Sequence, residues 1–452
     1  MERISRANFI RVGGKVSKVI GLTIEAEGLA TSIGELCYIF NSVNSQHSLG
    51  ERRKAKGESK SFCSFRIPEA VPAKVVGFRE ESTLLMPFSN VEGIRLGDMV
   101  VPTASPFSLK VGSALLGRVI NALGEPIDGN GILNCDQTRS IDAEPPPAVG
   151  RQKITQPIAT GVKAIDGLIT LGRGQRMGIF AGSGVGKSVL MGMIARNTQA
   201  DVNVIALIGE RSREVQQFIE DDLQNEGLER SVVVVATSDK PALMRIQGAF
   251  VATTIAEYFR DEGNDVILMM DSATRLAMAQ REVGLAIGEP PTTRGYTPSV
   301  FALLPKLLER AGTTLHKGSI TGLYNVLVEA DDMNEPVADT MRSILDGHIV
   351  LSRELAARNH YPAIDVLHSL SRLMEHVTTE EHRNAALKMR KVLATYDKAE
   401  DLINIGAYVS GSDPKIDYAI EQIDKINEYL VQQREEKFNF DESISQLITL
   451  FN

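Results

Sequence analysis

The octapeptide Ala181-Gly182-Ser183-Gly184-Val185-Gly186-Lys187-Ser188 lies between a short apolar run, Arg176-Met177-Gly178-Ile179-Phe180, and a Leu/Met/Ile-bearing run from Val189 to Arg196. A strand, a glycine-rich turn and a helix in that order make a phosphate cradle. Glycines let successive backbone N–H groups turn inward on an anion, and the helix N-terminus adds its positive dipole end. Lys187 supplies a mobile positive charge for β- and γ-phosphates, and the Ser188 hydroxyl suits Mg²⁺. The strict pattern asks for Gly at the first position, where this chain has Ala181. The flanking strand and helix therefore carry the reading, the alternative being a chance glycine loop.

At 452 residues the chain is too long for one ordinary core, so two or three domains are expected. A hydrophobic fraction of 43% with 23% charged residues is that of a globular protein. No apolar run approaches the roughly 20 residues that span a bilayer, and the N-terminus lacks an export signal. Cys37, Cys63 and Cys135 are odd in number and widely spaced, and the seven histidines have no ligand spacing, which fits a reducing cytoplasm. A net charge of −8 argues against a whole-chain attraction to nucleic acid.

Three segments differ in period. Residues 1–90 read as short strands with glycine turns, with candidates at Phe9 to Val19, Leu22 to Ala26, Cys37 to Phe40, Phe65 to Ile67, Lys74 to Phe78 and Thr83 to Met86. A small barrel or sandwich is expected. Between them, Ser42 to Ser61 carries Arg52, Arg53, Lys54, Lys56 and Lys60, which reads as a solvated hairpin extension, with contact to anionic lipid or a partner as the other reading.

Residues 91–375 alternate apolar runs with amphipathic helices. Val204 to Ile208, Val232 to Ala236, Val266 to Met270 and Leu323 to Val328 are near-continuous, the pattern of parallel strands buried on both faces, so the fold class is α/β. Val215, Phe218, Ile219 and Leu223 recur at helical spacing, and Pro145-Pro146-Pro147 reads as a stiff connector. Residues 376–452 are helical and charged, with Ile416, Ile420, Ile423 and Leu430 as one apolar stripe behind an Asp413-Pro414 helix start.

Nucleoside triphosphate hydrolysis needs a cradle, a metal, an oriented water and a cation for the developing charge. Val266 to Met270 ends in Asp271, which a parallel sheet places at its C-terminal edge beside the loop, where a carboxylate can hold a Mg²⁺ shell. Glu210 and Arg211 end the Val204 to Ile208 strand at the same edge. A carboxylate there can polarise an attacking water or can complement the dipole of the next helix.

Pro362-Ala363-Ile364-Asp365, followed by Ser369, Ser371 and Arg372, resembles the signature shared by rotary ATPase α/β subunits and type III secretion ATPases. Gly161-Val162-Lys163-Ala164-Ile165-Asp166, Gly172-Arg173-Gly174-Gln175-Arg176 and Gly209-Glu210-Arg211 are similar to other blocks of that superfamily. Ala277-Met278-Ala279-Gln280-Arg281-Glu282, Gly288-Glu289-Pro290-Pro291 and Leu304 to Gly312 most resemble the flagellar protein-export ATPases, as do Gly406-Ala407-Tyr408-Val409 and Gly411-Ser412-Asp413-Pro414.

The resemblance implies an N-terminal β-barrel, a central RecA-like ATPase domain with a P-loop, and a C-terminal helical domain, joined in a homohexameric ring. By it Lys187, Glu210, Arg211, Asp271 and Arg372 are catalytic, residues 181 to 188 and Tyr361 hold ATP, and Ser188 and Asp271 hold Mg²⁺. Tyr361 would stack on adenine; its plain alternative is a core aromatic. Arg372 would be an arginine finger reaching a neighbour's γ-phosphate; its alternative is a surface arginine. The implied partners are a stator-like regulator, a stalk-like protein, export-gate proteins and chaperone–cargo complexes, at the inner face of the cytoplasmic membrane with a peripheral membrane contact.

The short N-terminus leaves little room for the helix by which flagellar relatives bind their regulator, and the 42–61 insert is longer and more basic than that barrel hairpin usually is. An injectisome ATPase is the nearest alternative. A rotary ATP synthase catalytic subunit would carry an acidic segment that the C-terminal helices lack. An RNA translocase of the termination-factor kind would need stacking aromatics on the barrel, where residues 1–90 have no Trp. A non-catalytic ring subunit would usually lack the carboxylate at Glu210.

Overall fold

The computed structural model describes residues 13–40, 70–328 and 332–451. Strands β1 (Gly14–Ile20), β2 (Thr23–Glu27), β3 (Glu35–Phe40), β4 (Ala70–Arg79), β5 (Ser82–Pro87) and β6 (Met99–Pro106) close into an antiparallel barrel in the order β1-β2-β5-β4-β3-β6. Inward side chains alternate along each strand, so Val16, Ile24, Ala26, Cys37, Ile39, Ala73, Val75, Leu85 and Val100 fill its interior. The barrel runs past the boundary expected at residue 90, because β6 supplies the closing edge. The candidate strand at Phe65 to Ile67 and the basic run from Ser42 to Ser61 lie outside the described residues.

A two-stranded ribbon of β7 (Ser108–Val111) and β9 (Gln137–Ser140) flanks β8 (Arg118–Asn121). Strand β8 opens the central sheet with β10 (Arg176–Ala181), β11 (Val202–Ile208), β12 (Ser231–Ala236), β13 (Asp265–Asp271), β15 (Ser319–Leu327), β16 (Gly347–Leu351) and β17 (Ile364–Ser371), and short β14 (Gly312–Thr313) joins β15 from the side. The order is β17-β16-β10-β15-β13-β11-β12-β8, parallel except for β17 and β14. Both faces are covered. Val204, Ala206, Leu268 and Met270 face one core with the helices Ala242–Asp261, Ala273–Ile287 and Pro298–Leu308. Ile205, Leu207, Ile267 and Met269 face a second core with the helices Lys163–Leu168 and Lys187–Asn197 and with the C-terminal helices. That dual burial is why these strands read as unbroken apolar runs.

The helix expected through Val215 to Leu223 is broken. A regular helix, Ser212–Gln217, passes into a π-helical turn, Phe218–Leu223, before resuming at Gln224–Glu229. Its apolar residues still bury, and the turn packs on the helix Lys187–Asn197. Pro145-Pro146-Pro147 has no regular structure, as a stiff connector should.

The C-terminal helices are Glu380–Asn404, Pro414–Leu430 and Phe440–Thr449. Helix Pro414–Leu430 starts where expected, with the Asp413 carboxylate accepting from the Lys415 N–H at 2.8 Å. Its apolar stripe is a correction. Of the expected stripe only Leu430 is buried, Ile416 and Ile423 are half-buried and Ile420 is exposed, while Ala419, Gln422, Ile426 and Tyr429 are buried instead.

Candidate active site

The loop leaves β10 at the sheet's C-terminal edge. Ala181 is still strand, paired with Leu327 and Leu351 and almost fully buried, so its methyl fills core and the departure from Gly costs nothing there. Gly184 and Gly186 have φ of 81° and 89°, the left-handed region that favours glycine. Gly186 caps the helix Lys187–Asn197 with no side-chain hydrogen bond, which leaves its first amides to an incoming anion. Ser183 and Gly184 are exposed, Val185 is buried, and Lys187 and Ser188 are half-buried at the floor of a cleft of about 910 Å³.

Neighbouring strands bring the acids to that floor. Asp271 ends β13 and pairs in register with Leu207 of β11, and Glu210 lies three residues beyond Leu207. The Lys187 Nζ is 2.5 Å from Asp271 Oδ1 and 3.8 Å from Glu210 Oε1, so one cation sits between two carboxylates. Glu210 Oε1 is buried and, among the described residues, has no hydrogen-bond partner. Burial, and then the Asp271 charge, push the Glu210 carboxyl up to about 7, with Lys187 opposing. A weakly solvated carboxylate with an unengaged oxygen is suited to accept a proton from, or orient, a water. Arg211 is largely exposed and pairs with Glu214 at 3.2 Å on the cleft wall.

Tyr361 is brought to the cradle from 175 residues away. A methyl placed on Gly186 would lie 3.5 Å from its ring, and Tyr361 is 42% exposed beside the loop. Arg372 goes elsewhere. It follows β17, its N–H donates to the Asp346 carbonyl at 3.0 Å, and Asp346 holds Arg176 at the start of β10. At about 3.3 Å per residue, the six residues of β10 separate it from its own loop by about 20 Å. It lies too far to reach its own cleft, is exposed, and donates from its guanidinium to the Arg342 carbonyl at 3.3 Å.

Sequence reading missed Arg353. A methyl on Gly182 would lie 2.5 Å from its guanidinium, so this side chain lies over the loop. Its signal is the one that marked Asp271: a polar residue just beyond an apolar strand, here β16, which neighbours β10. With a nucleotide bound, Ser188, Asp271 and the phosphates would offer the hard oxygen set that Mg²⁺ takes, with few protein ligands. The residues present fit that ion.

These features define a nucleotide-hydrolysing P-loop domain, and comparisons with known proteins agree. The model of the ATP synthase alpha/beta family nucleotide-binding domain matches residues 161–371, and that of the T3SS EscN ATPase C-terminal domain matches residues 378–449. The chain is 54% identical over 437 residues to the flagellum-specific ATP synthase of Bacillus subtilis (strain 168), covering 97% of this chain and 94% of that protein. It is 49% identical over 437 residues to the type 3 secretion system ATPase of Xanthomonas euvesicatoria, covering 97% and 93%. The assembled ATPase EscN of the enteropathogenic E. coli type III secretion system superposes with a TM-score of 0.85 at 45% identity, over 97% of this chain and 99% of that one. EscN has also been solved in complex with its central stalk EscO. The chain belongs to the ATP synthase α/β family, within its group of flagellum-specific ATP synthases and type III secretion ATPases, and is an ATPase.

Proposed function

We propose that this chain hydrolyses MgATP at the interfaces of a homohexameric ring and so energises or primes flagellar type III protein export. The observation that supports this reading is the placement of the loop's charged residues and of Arg372 at opposite ends of the sheet. Lys187, Glu210 and Asp271 converge on the loop, while Arg372 stands at the opposite sheet edge. In the working site the loop amides would hold the β- and γ-phosphates, and Lys187 would exchange Asp271 for phosphate oxygens. That exchange leaves Asp271 and Ser188 to hold Mg²⁺, which when bound neutralises phosphate charge. Glu210 would orient the attacking water and take its proton, and Arg372 of the adjacent subunit would meet the charge developing on the γ-phosphate. Tyr361 would carry the adenine. Arg211 would line the entrance.

A ring of this kind at the inner face of the cytoplasmic membrane would meet a stator-like regulator, a stalk-like protein, export-gate proteins and chaperone–cargo complexes. The EscO complex of EscN supports the stalk. Among the described residues no helix is long and apolar enough to cross a membrane, so membrane contact would be peripheral. Identity to the Xanthomonas protein favours an injectisome role as the second reading. Expression in a non-motile strain lacking its own flagellar export ATPase separates the two: restored swimming supports the flagellar reading, and restored effector secretion in an injectisome mutant, without swimming, supports the other. ATPase rate per subunit should climb with protein concentration as interfaces form; a flat rate from a monomer confirmed by sizing would refute the trans site.

A further inference from the structure

The C-terminal domain reaches the nucleotide cleft through one loop, residues 431–439, between the helices Pro414–Leu430 and Phe440–Thr449. Gln432 in that loop is 2% exposed. Its Oε1 accepts from the Lys163 N–H at 3.0 Å, and its Nε2 donates to the carbonyls of Gly161 at 2.8 Å and Glu436 at 3.2 Å. The side chain is thereby sewn into the turn ahead of the helix Lys163–Leu168 and into its own loop. The backbone N–H of Gln432, so fixed, donates to the Tyr361 carbonyl at 2.9 Å.

Neighbouring contacts stiffen the loop rather than duplicate this bond. The Arg434 guanidinium donates to the Asp221 carbonyl at 3.2 Å, Lys437 pairs with Glu226 at 2.7 Å, and the Lys163 ammonium lies 4.5 Å from the Phe438 ring centroid. None of them touches Tyr361. The Tyr361 side chain, partly exposed and close to Gly186, stands on the residue whose carbonyl Gln432 holds.

We infer that Gln432 is a positioning residue for the nucleotide base: it sets Tyr361 against the loop, so the C-terminal domain governs ATP affinity through the base and not through the phosphates. This rests on the reading that Tyr361 stacks on adenine. The experiment measures equilibrium binding of MgATP and of Mg-tripolyphosphate, which has no base, to the full chain and to Gln432→Met, which keeps length and removes the three side-chain hydrogen bonds. ATP affinity should fall about tenfold, the order of a lost base–aromatic contact, while tripolyphosphate affinity stays within twofold and certifies the folded loop. In a Tyr361→Ala background the Gln432→Met change should cost less than twofold, because both act on one contact.

Equal losses for both ligands would overturn the inference, since Gln432 would then serve the fold of the whole cleft. Additive losses in the double variant would overturn it as well, as would unchanged ATP affinity in Gln432→Met. If Tyr361→Ala alone leaves ATP affinity unchanged, the stacking reading itself fails and takes the inference with it. A loss in Tyr361→Ala with none in Gln432→Met removes only the inference. Gln432→Asn, one methylene shorter with the same amide, should fall between the parent and Gln432→Met in ATP affinity.

Discussion

Glu210 is held in a setting that penalises its charge. It is 13% exposed, faces Asp271 across Lys187 and has one oxygen unengaged. With its carboxyl pushed up to about 7 in the folded chain, from about 4.5 when exposed, the folded chain keeps this proton where the unfolded chain has lost it. Stability therefore falls as pH rises from about 4.5 to about 7, and the full penalty stands above that range. Glu210→Gln should thus melt higher than the parent at pH 8, by the equivalent of up to about 3 kcal/mol, and at the parent temperature at pH 4. A variant melting at the parent temperature at both pH values would remove the strained carboxylate from the account. The same substitution should keep ATP binding and lose at least about 10²-fold in turnover, the share that general-base assistance supplies. Quench-flow against filter binding separates those two effects. Lys187, Ser188, Glu210 and Asp271 were legible because each follows an apolar strand or opens a helix at one sheet edge. Arg353 was not, because its place over Gly182 depends on β16 lying beside β10, a neighbour about 170 residues distant that only the sheet order reveals.

At the level of single elements, local chemistry was read more surely than packing. The cap at Asp413 was visible as Asp-Pro ahead of a periodic run, and Tyr408 braces it by donating its hydroxyl to the Asp413 carbonyl at 3.0 Å. Asp413→Ala should cost about 1 kcal/mol of helix stability and Asp413→Asn only a few tenths, since Asn still accepts from the Lys415 N–H. Thermal melts of the two side by side decide it; equal losses would mean that the charge, not the cap bond, matters. The buried face of that helix was misread because isoleucines at positions 416, 420 and 423 look more apolar than Ala419 and Gln422. The π-helical turn was hidden for a related reason. One extra residue per turn keeps Val215, Phe218 and Leu223 inward while breaking strict helical spacing. The barrel's sixth strand escaped because Pro102 and Pro106 make Met99–Pro106 read as loop, and Ala104 takes φ 58° within it.

Over the whole molecule, the proposed trans role of Arg372 would divide each reaction between two subunits. Strand β17 runs antiparallel to β16, so the residue after it emerges at the edge opposite the loop, beside Asp346 and Arg176. In a head-to-tail ring each subunit would offer its loop to one neighbour and Arg372 to the other, a heterologous contact that closes only by symmetry. Arg372→Ala should then lose on the order of 10³-fold in turnover with nucleotide binding intact. Glu210→Gln would be inactive for a different reason, and the two defects would lie on opposite faces of the interface. Mixing the two inactive variants tests the division directly. A site made of Glu210 from the arginine variant and Arg372 from the glutamine variant lacks nothing. With random assembly of equal amounts, about a quarter of the interfaces would be intact in a heterologous ring, and activity should rise from background toward that share. A mixture that stays at background after subunit exchange, verified by sizing and by a labelled subunit, would place Arg372 outside the reaction. Recovery would in turn require that Arg372 works only across an interface, because in its own chain six residues of β10 stand between it and the loop.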